Sequence, residues 1–256
     1  MGENLTQKSP KILNASGSPS LDDLLHKTYY DPSSPGGVST VKNLLREIKK
    51  HDKNITTDKV LNWLLQQRVY SLYKPKVKKN FVRRQINRMY PNESWSADLV
   101  DLSALSVFNN GVNFLLSVVD FFSLYAFVRP MKQKTKKNML EAFDSIFDEA
   151  QSTCVNLHTD DGLEFVSLKE MYEENEINRY STTTIKKAAI CERFQKELET
   201  KIFKYMTANN TKKYIDVLPK IVYAYNHTPS RALFGRTPVE AYKDKKVIKS
   251  IQKNYD

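Results

Sequence analysis

The sequence contains few of the residues that build disulfide frameworks and zinc sites. Among its 256 residues are two cysteines, Cys154 and Cys191, and four histidines without paired ligand spacing. We therefore predict neither a disulfide framework nor a structural zinc site. The sequence also has no apolar run of membrane-span length and no secretory signal at its start. We expect a protein of the cytosol or nucleus that has no membrane partner.

Acidic residues are scarce in one quarter of the chain. Residues 33 to 92 contain 14 lysines or arginines and 3 acidic residues, a balance of +11 that accounts for the whole net charge. The rest of the chain is therefore neutral. A basic run is usually a solvated surface, but a block this lopsided beside a neutral domain indicates a polyanionic partner. Nucleic acid is the first candidate.

Hydrophobic spacing divides the start of the chain into a tail and a small helical domain. Residues 1 to 30 are rich in Ser, Asn and Lys and predict a disordered tail. Residues 31 to 73 predict two short helices, one beginning near Ser39 and one capped by Thr57, in a helix-turn-helix-like domain. A helical hairpin that only packs on its neighbour fits the pattern equally well. The positions predicted to be buried are Val41, Leu44, Leu45, Ile48, Val60, Leu61, Leu64 and Leu65.

The positive charge is densest in residues 74 to 92, where Pro75 and polar residues predict an extended linker. The segment from Lys74 to Arg88 contains no acidic residue. Such a segment can lie along DNA phosphates or serve as a nuclear import signal. We therefore expect the protein beside DNA, in the nucleus. The candidate DNA-binding residues of this segment are Lys74, Lys76, Lys78, Lys79, Arg83 and Arg84.

From Trp95 onward the pattern changes to strands. Three strands, near 95–102, 112–119 and 124–128, predict an antiparallel meander with one turn at Asn109-Asn110-Gly111. Helices then alternate with two short strands. This order is typical of an RNase H-like fold, an α/β class with a mixed five-stranded sheet flanked by helices. We assign it to residues 93 to 245 and predict a short tail at 246 to 256.

Three carboxylates occupy key positions in this predicted fold. Asp98 lies in the first strand, Asp160 ends the fourth, and Glu192 lies on the helix after the fifth. A carboxylate buried without a partner in a central strand is costly, so Asp98 requires a cation or a hydrogen-bond partner. Acids from three such elements can converge on two divalent ions that promote phosphoryl transfer. Asp120, at a strand end, is instead interpreted as a turn cap.

The helix that carries Glu192 has its own pattern. Glu192 and Lys196 lie one turn apart on a face that is separate from the apolar stripe, where a solvated ion pair is the simplest interpretation. The two upstream aspartates favour a functional role instead. The apolar residues that recur at every fourth position are Ile190, Phe194, Leu198 and Ile202.

Four motifs in this order resemble the retroviral-type DDE integrases, and especially those of Maverick/Polinton elements and virophages. The resemblance covers about residues 30 to 242. The motifs are WSADLVD at 95–101, TDDGLEF at 159–165, IKKAAICERF at 185–194, and YNHTPS at 225–230 followed by GRTPVE at 235–240.

The resemblance implies an integrase that trims the 3′ ends of element DNA and joins them to target DNA as a multimer. It implies Asp98, Asp160 and Glu192 as catalytic ligands of two Mg²⁺ or Mn²⁺ ions, and Lys196 as a contact to the DNA end. The chain departs from retroviral members at Glu199, where a second lysine is common, and in the shorter spacing of 31 residues between Asp160 and Glu192. It also lacks their N-terminal zinc-binding His/Cys set, and we expect no C-terminal chromodomain or SH3-like module.

Three functions remain open. The first is an active integrase, and the alternative of a different class is a domesticated integrase that binds double-stranded DNA without catalysis. A nuclease of the same fold, which needs no second DNA, is the third. All three acids are intact, and this favours an enzyme because each acid is costly to keep without a role.

Overall fold

The computed structural model describes residues 20–73, 89–181 and 189–254. Residues 74–88 of the predicted basic linker at 74–92 lie outside these ranges, together with its candidate DNA-binding residues. Part of the third motif, residues 185–188, also lies outside them. None of the helices in the described ranges is long and apolar enough to cross a membrane.

The amino-terminal domain contains the four helices α1 Leu21–Tyr30, α2 Val41–Ile48, α3 Thr57–Gln66 and α4 Arg68–Leu72. Side chains of Ser20, Thr40 and Thr56 cap the first three helices by accepting hydrogen bonds from backbone N–H groups. A common buried hydrophobic cluster joins the four helices. The two predicted helices are thus present as α2 and α3, within a larger domain than the sequence indicated.

The structure corrects two predictions in this domain. The disordered tail predicted for residues 1–30 was wrong from residue 21 onward, because α1 is helical and buries Leu25 and Tyr29. Leu65 was predicted to be buried, but it is 47% exposed, and Trp63 takes its place in the core. The rings of Tyr29 and Trp63 pack edge to face with centroids 5.6 Å apart. The burial of α1 therefore depends on α3, which its local pattern does not reveal.

The second domain is built on the five strands β1 Ser94–Asp101, β2 Phe114–Asp120, β3 Ala126–Met131, β4 Asn156–His158 and β5 Asn178–Tyr180. Their order in the sheet is β3-β2-β1-β4-β5. The first three strands are antiparallel neighbours, whereas β4 and β5 run parallel to β1. This arrangement confirms the predicted RNase H-like mixed sheet. The third strand begins two residues later than predicted, because Leu124 adopts a φ of 59° in the preceding turn.

The helices of this domain are α5 Lys136–Ala150, α6 Leu163–Val166, α7 Lys169–Glu174, α8 Ala189–Ala208, α9 Leu218–Asn226, α10 Pro238–Lys243 and α11 Lys245–Gln252. Side chains that alternate along the strands face two separate cores. Leu116 and Val118 of β2 face the core that α5, α6 and α7 complete. Leu115 and Val119 face the core that α8 and α9 complete. The candidate site therefore has α8 on one side and the sheet on the other.

Helix α11 corrects the short tail predicted for residues 246–256. Val247 and Ile251 are buried against Phe122, which lies in the turn between β2 and β3. Only two residues of α11 are buried, while Ile248 packs on the core partly exposed, so the sequence pattern was too short to predict a packed helix.

Candidate active site

Asp98 lies in the middle of β1, on the face that α8 covers. Its register partner is Ser117 of β2, whose hydroxyl donates to the Asp98 carbonyl oxygen at 2.9 Å. The Gln195 side chain of α8 donates to the Ser117 hydroxyl at 2.9 Å. The Asp98 carboxylate accepts from the Leu99 N–H at 2.8 Å. The backbone at Asp98 is therefore held by the neighbouring strand and, through Ser117, by α8.

Asp160 follows the carboxyl end of β4, the strand that runs parallel to β1. Ser96 of β1 is the register partner of His158 in β4, so Asp98 and Asp160 both lie two residues beyond this pair. Because the strands are parallel, both acids lie toward the same edge of the sheet. Asp160 is exposed, and its carboxylate accepts from the Gly162 N–H at 3.0 Å.

Arg179 of β5 holds the turn that carries Asp160. Its Nη2 donates to the Asp160 carbonyl oxygen at 2.6 Å and to Asp161 Oδ1 at 3.2 Å, and its Nε donates to Thr159 Oγ1 at 2.9 Å. A hydrogen bond with Ser181, followed by the contacts with Arg179, lowers the pKa of Asp161. Sequence reasoning missed Arg179 because its role depends on the pairing of β4 with β5, and no motif marks it.

Glu192 is exposed in the first turn of α8. The preceding residue, Cys191, is buried with its Sγ 3.6 Å from the Ser117 hydroxyl, beside Asp98 in the sheet. Burial raises the pKa of Cys191 to about 12, and the negative charges of Asp98 and Glu192 add to this rise. The start of α8 thus brings Glu192 to the face of the sheet that carries Asp98.

The predicted apolar stripe of α8 is confirmed. Phe194, Leu198 and Ile202 are buried, whereas Glu192 and Lys196 are exposed. Lys196 therefore points its amine toward solvent one turn beyond Glu192.

The closing motif at residues 225–240 positions elements of the fold. The ring of Tyr225 packs edge to face on Phe194 of α8, with centroids 4.7 Å apart. Asn226 is buried and pairs with the Ala126 backbone, since its Oδ1 accepts from the N–H and its Nδ2 donates to the carbonyl oxygen, both at 2.9 Å. Thr237 forms a reciprocal capping box with Glu240 at the start of α10. The motif therefore fixes α8 and α9 against the sheet.

Asp120 confirms the prediction of a turn cap. It is fully buried and accepts hydrogen bonds from the Ser123 N–H at 2.7 Å, the Ser123 hydroxyl at 2.6 Å and the Asn92 N–H at 2.8 Å. Burial raises the pKa of Asp120 to about 6, although these hydrogen bonds oppose the rise. The hydrogen bonds from Ser123 fix the turn between β2 and β3, and the one from Asn92 joins this turn to the segment before β1.

Asp98 and Asp160 lie toward the same end of the sheet, but the candidate metal ligands do not form a closed cluster in the described residues. Within the ranges that the structure describes, no three His, Cys, Asp or Glu side chains lie close enough together to hold one metal ion. Carboxylate oxygens are nevertheless the donors that Mg²⁺ and Mn²⁺ prefer. The chemistry of their donors, rather than a closed cluster, is what makes Asp98, Asp160 and Glu192 suitable for a divalent ion.

Comparison with known sequences gives one transposon-derived relative. No protein-family model matches the chain. An uncharacterized transposon-derived protein of Caenorhabditis elegans is 36% identical over 134 residues, which cover 52% of this chain and 46% of the worm protein. The chain thus matches less than half the length of that relative.

Comparison with solved structures identifies the fold. A chain of the simian T-cell lymphotropic virus intasome, in complex with PP2A regulatory subunit B56γ, aligns with a TM-score of 0.57 and 18% identity over 78% of this chain and 71% of the viral chain. The HTLV-2 integrase catalytic core domain in complex with magnesium, in its trimeric form, aligns with a TM-score of 0.51 and 18% identity over 60% of this chain and 98% of that core. Such low identities establish the fold alone. The second domain of this chain therefore has the fold of a retroviral integrase catalytic core.

Proposed function

We propose that this chain is a DDE-type integrase that processes the 3′ ends of element DNA and joins them to target DNA. The observation that carries the proposal is that Asp98 and Asp160 lie toward the same end of the parallel strands β1 and β4, while Glu192 lies in the first turn of α8, where the preceding residue Cys191 contacts Ser117 beside Asp98. The transposon-derived worm relative supports it. Among integrases, the four motifs favour those of Maverick/Polinton elements and virophages.

Asp98, Asp160 and Glu192 are the proposed ligands of two Mg²⁺ or Mn²⁺ ions, which when bound activate the attacking oxygen and stabilise the leaving oxygen of a phosphoryl displacement. The contribution of the protein is placement. Ser117 fixes the β1 backbone at Asp98, and Arg179 fixes the turn at Asp160. Both carboxylates therefore start from positions that the fold restrains.

DNA binding is assigned to two further parts of the chain. Lys196 is exposed one turn beyond Glu192, so it is the proposed contact to a phosphate of the DNA end. The basic block at residues 33–92 supplies most of the affinity for duplex DNA through its excess of +11. We also propose that the chain acts as a homo-oligomer, because joining two element ends requires two sites.

The test is the joining of a labelled element-end duplex to a second duplex, with Mg²⁺ or Mn²⁺ compared with Ca²⁺. Wild type should join the duplexes, whereas Asp98→Ala, Asp160→Ala and Glu192→Gln should each lose joining by similar factors. Double variants should lose little more, because the three acids act as one unit. All variants should still bind DNA, since the basic block is unchanged.

Asp161→Asn is the matched control for Asp160→Asn. Asp161 is exposed and bonds to Arg179, so it serves the turn, and its amide variant should keep most of the activity. Asp160→Asn should lose nearly all of the activity. If Asp161→Asn loses more activity than Asp160→Asn, the metal ligand is Asp161 instead. If wild type binds authentic ends but never nicks or joins them, the non-catalytic DNA-binding alternative replaces the integrase, and nicking without joining would indicate a nuclease.

A further inference from the structure

Helix α11 has an apolar face and a basic face. Val247 and Ile251 face the small core beneath the β2–β3 turn. Lysines at every fourth position lie along one side of the helix, with steps of about 6 Å along its axis. The exposed lysines of this region, here called the α11 lysine surface, are Lys243, Lys245, Lys246, Lys249 and Lys253.

The acids near this surface are committed to helix capping. Glu240 accepts from the Thr237 N–H and hydroxyl in the capping box of α10, which lowers the pKa of Glu240. Asp244 caps α11 by accepting from the N–H groups of Lys246 and Val247. In the described parts of the chain, none of the five lysines forms a salt bridge, although exposed lysines elsewhere do. Both carboxylates keep their negative charge, but five lysines against two acids leave the surface positive.

The surface adjoins the end of the basic segment. The Tyr242 hydroxyl donates to Asn92 Oδ1 at 2.7 Å, and the Gln252 side chain donates to the Met89 carbonyl oxygen. These two contacts tie residues 89–92 to α10 and α11. Because Arg88 is covalently bonded to Met89, the chain enters the second domain from its most basic segment directly beside this surface.

The surface lies away from Asp98 and Asp160. The Phe121 N–H donates to the Ser94 carbonyl oxygen, so the β2–β3 turn on which α11 packs lies at the amino end of β1. Asp98 is four residues further along β1, a distance of about 13 Å at the rise of an extended strand. Asp160 lies toward the opposite edge, beyond the carboxyl end of β4.

We propose that the α11 lysine surface binds the phosphate backbone of duplex DNA at a distance from the joining site. Regularly spaced lysines suit a regular row of phosphates, and residues 243–253 include no aromatic side chain on which single-stranded bases could stack. Continuity with the basic segment selects the same partner. The proposal extends the proposed function by a DNA contact, and it requires no catalysis.

The test uses the full chain and a metal-free binding assay on duplex DNA across a series of salt concentrations. The triple variant Lys245→Gln, Lys249→Gln, Lys253→Gln should make the negative slope of log K against log salt less steep by about 2 to 3. Each phosphate contact contributes about 0.9 to the magnitude of this slope. The matching arginine triple variant should retain the slope. Thermal unfolding should be unchanged in both, because the three side chains are exposed.

A second triple variant removes the same charge elsewhere. Lys137, Lys169 and Lys213 are exposed and already pair with Glu141, Glu173 and Asp216, so their glutamine variants should leave the slope almost unchanged. Equal losses in both triple variants would overturn the proposal in favour of net charge alone. An unchanged slope in the α11 variant would also overturn it, and a loss seen only with duplex RNA would reassign the partner.

The same variants separate this inference from the integrase proposal. At saturating DNA the α11 triple variant should join duplexes as wild type does, since the surface does not touch the acids. If wild type never joins duplexes but the α11 triple variant still binds DNA with a less steep salt dependence than wild type, the integrase proposal fails and this inference stands.

Discussion

The two ends of α8 place charged residues in opposite surroundings. Glu192 and Lys196 near the amino end are exposed, whereas Lys201 and Lys204 toward the carboxyl end are only 6% and 8% exposed. Burial lowers the pKa of both buried lysines. Lys204 also donates to the Val38 carbonyl oxygen of the amino-terminal domain at 3.3 Å. One helix thus presents charge to solvent at one end and buries charge against a second domain at the other.

Further contacts at the carboxyl end join the two domains. The hydroxyls of Tyr73 and Thr207 lie 2.9 Å apart in a hydrogen bond, and Ala208 packs on the core of the amino-terminal domain. A helix of 20 residues is about 30 Å long. Helix α8 therefore connects the candidate active site to the helical domain, and its two ends can be tested separately.

The largest difference is expected between Glu192→Gln and Glu197→Gln. Both residues are exposed on α8, but only Glu192 is a proposed metal ligand. Glu192→Gln should lower the joining rate on the order of a thousandfold, because the three ligands act together, and Glu197→Gln should stay close to wild type. Similar losses in both variants, measured in the joining assay, would contradict the assignment of Glu192 as a metal ligand.

Lys201→Met should raise the free energy of unfolding by about 2 kcal/mol, because it replaces a desolvated amine with an apolar chain of similar length. Because the pKa of Lys201 is lowered in the folded state, that state binds fewer protons than the unfolded state at pH values between the lowered pKa and the ordinary value of 10.5. Wild type should therefore gain stability as pH rises from the lowered pKa toward 10.5, and Lys201→Met should gain less. Urea unfolding at several pH values measures both effects.

Lys196→Met is the matched control for Lys201→Met. Lys196 is exposed, so its replacement should change neither the unfolding free energy nor the dependence of that energy on pH. An equal response to both substitutions would contradict the contrast in burial. These comparisons should leave Glu197 and Lys204 unchanged. The charge of Glu197 raises the pKa of Lys201, and the charges of Lys201 and Lys204 interact.

Lys196→Gln should weaken binding of the element-end duplex about tenfold and reduce the salt slope by about one contact. The reason is the loss of one exposed positive charge next to Glu192. Glu199→Lys should act in the opposite direction, because it restores a positive charge where retroviral integrases often have a second lysine. Fluorescence anisotropy with labelled duplex measures both changes, and an unaltered slope in Lys196→Gln would argue against the phosphate contact.

The smallest effect is expected for Tyr73→Phe, which removes the hydroxyl that bonds to Thr207. The loss should be about 1 kcal/mol of unfolding free energy, typical of one hydrogen bond. Thr207→Val should cost a similar amount, and the double variant should cost little more than either single variant. Additive costs would show that the two hydroxyls do not stabilise the interface together.

The sequence predicts the exposed end of α8 but not the buried end. The apolar stripe and the exposure of Glu192 follow from a four-residue period within the helix, so the sequence was sufficient to predict them. The burial of Lys204 depends on Val38, which is far away in the chain, and no local pattern reports it. Arg179 was missed for the same reason, because its partners lie in the turn after another strand.

The order of strands and helices was predictable because each element has its own period. Strand alternation predicted the sheet, and the turn residues predicted its first connections. Helices α1 and α11 were missed because each buries few residues, and those residues contact elements distant in sequence. The gathering of Asp98, Asp160 and Glu192 around ions stays a prediction, since no three acidic, His or Cys side chains of the described residues lie close enough together to hold an ion.

Asn226 covers part of one edge of the sheet. Strand β3 lies at one end of the strand order, and the outward backbone groups of such a strand can pair with a strand of another molecule. Asn226 occupies both the N–H and the carbonyl oxygen of Ala126, the first residue of β3, as a strand residue would. The side chain thereby closes the start of this edge and protects it from the strand addition that begins aggregation.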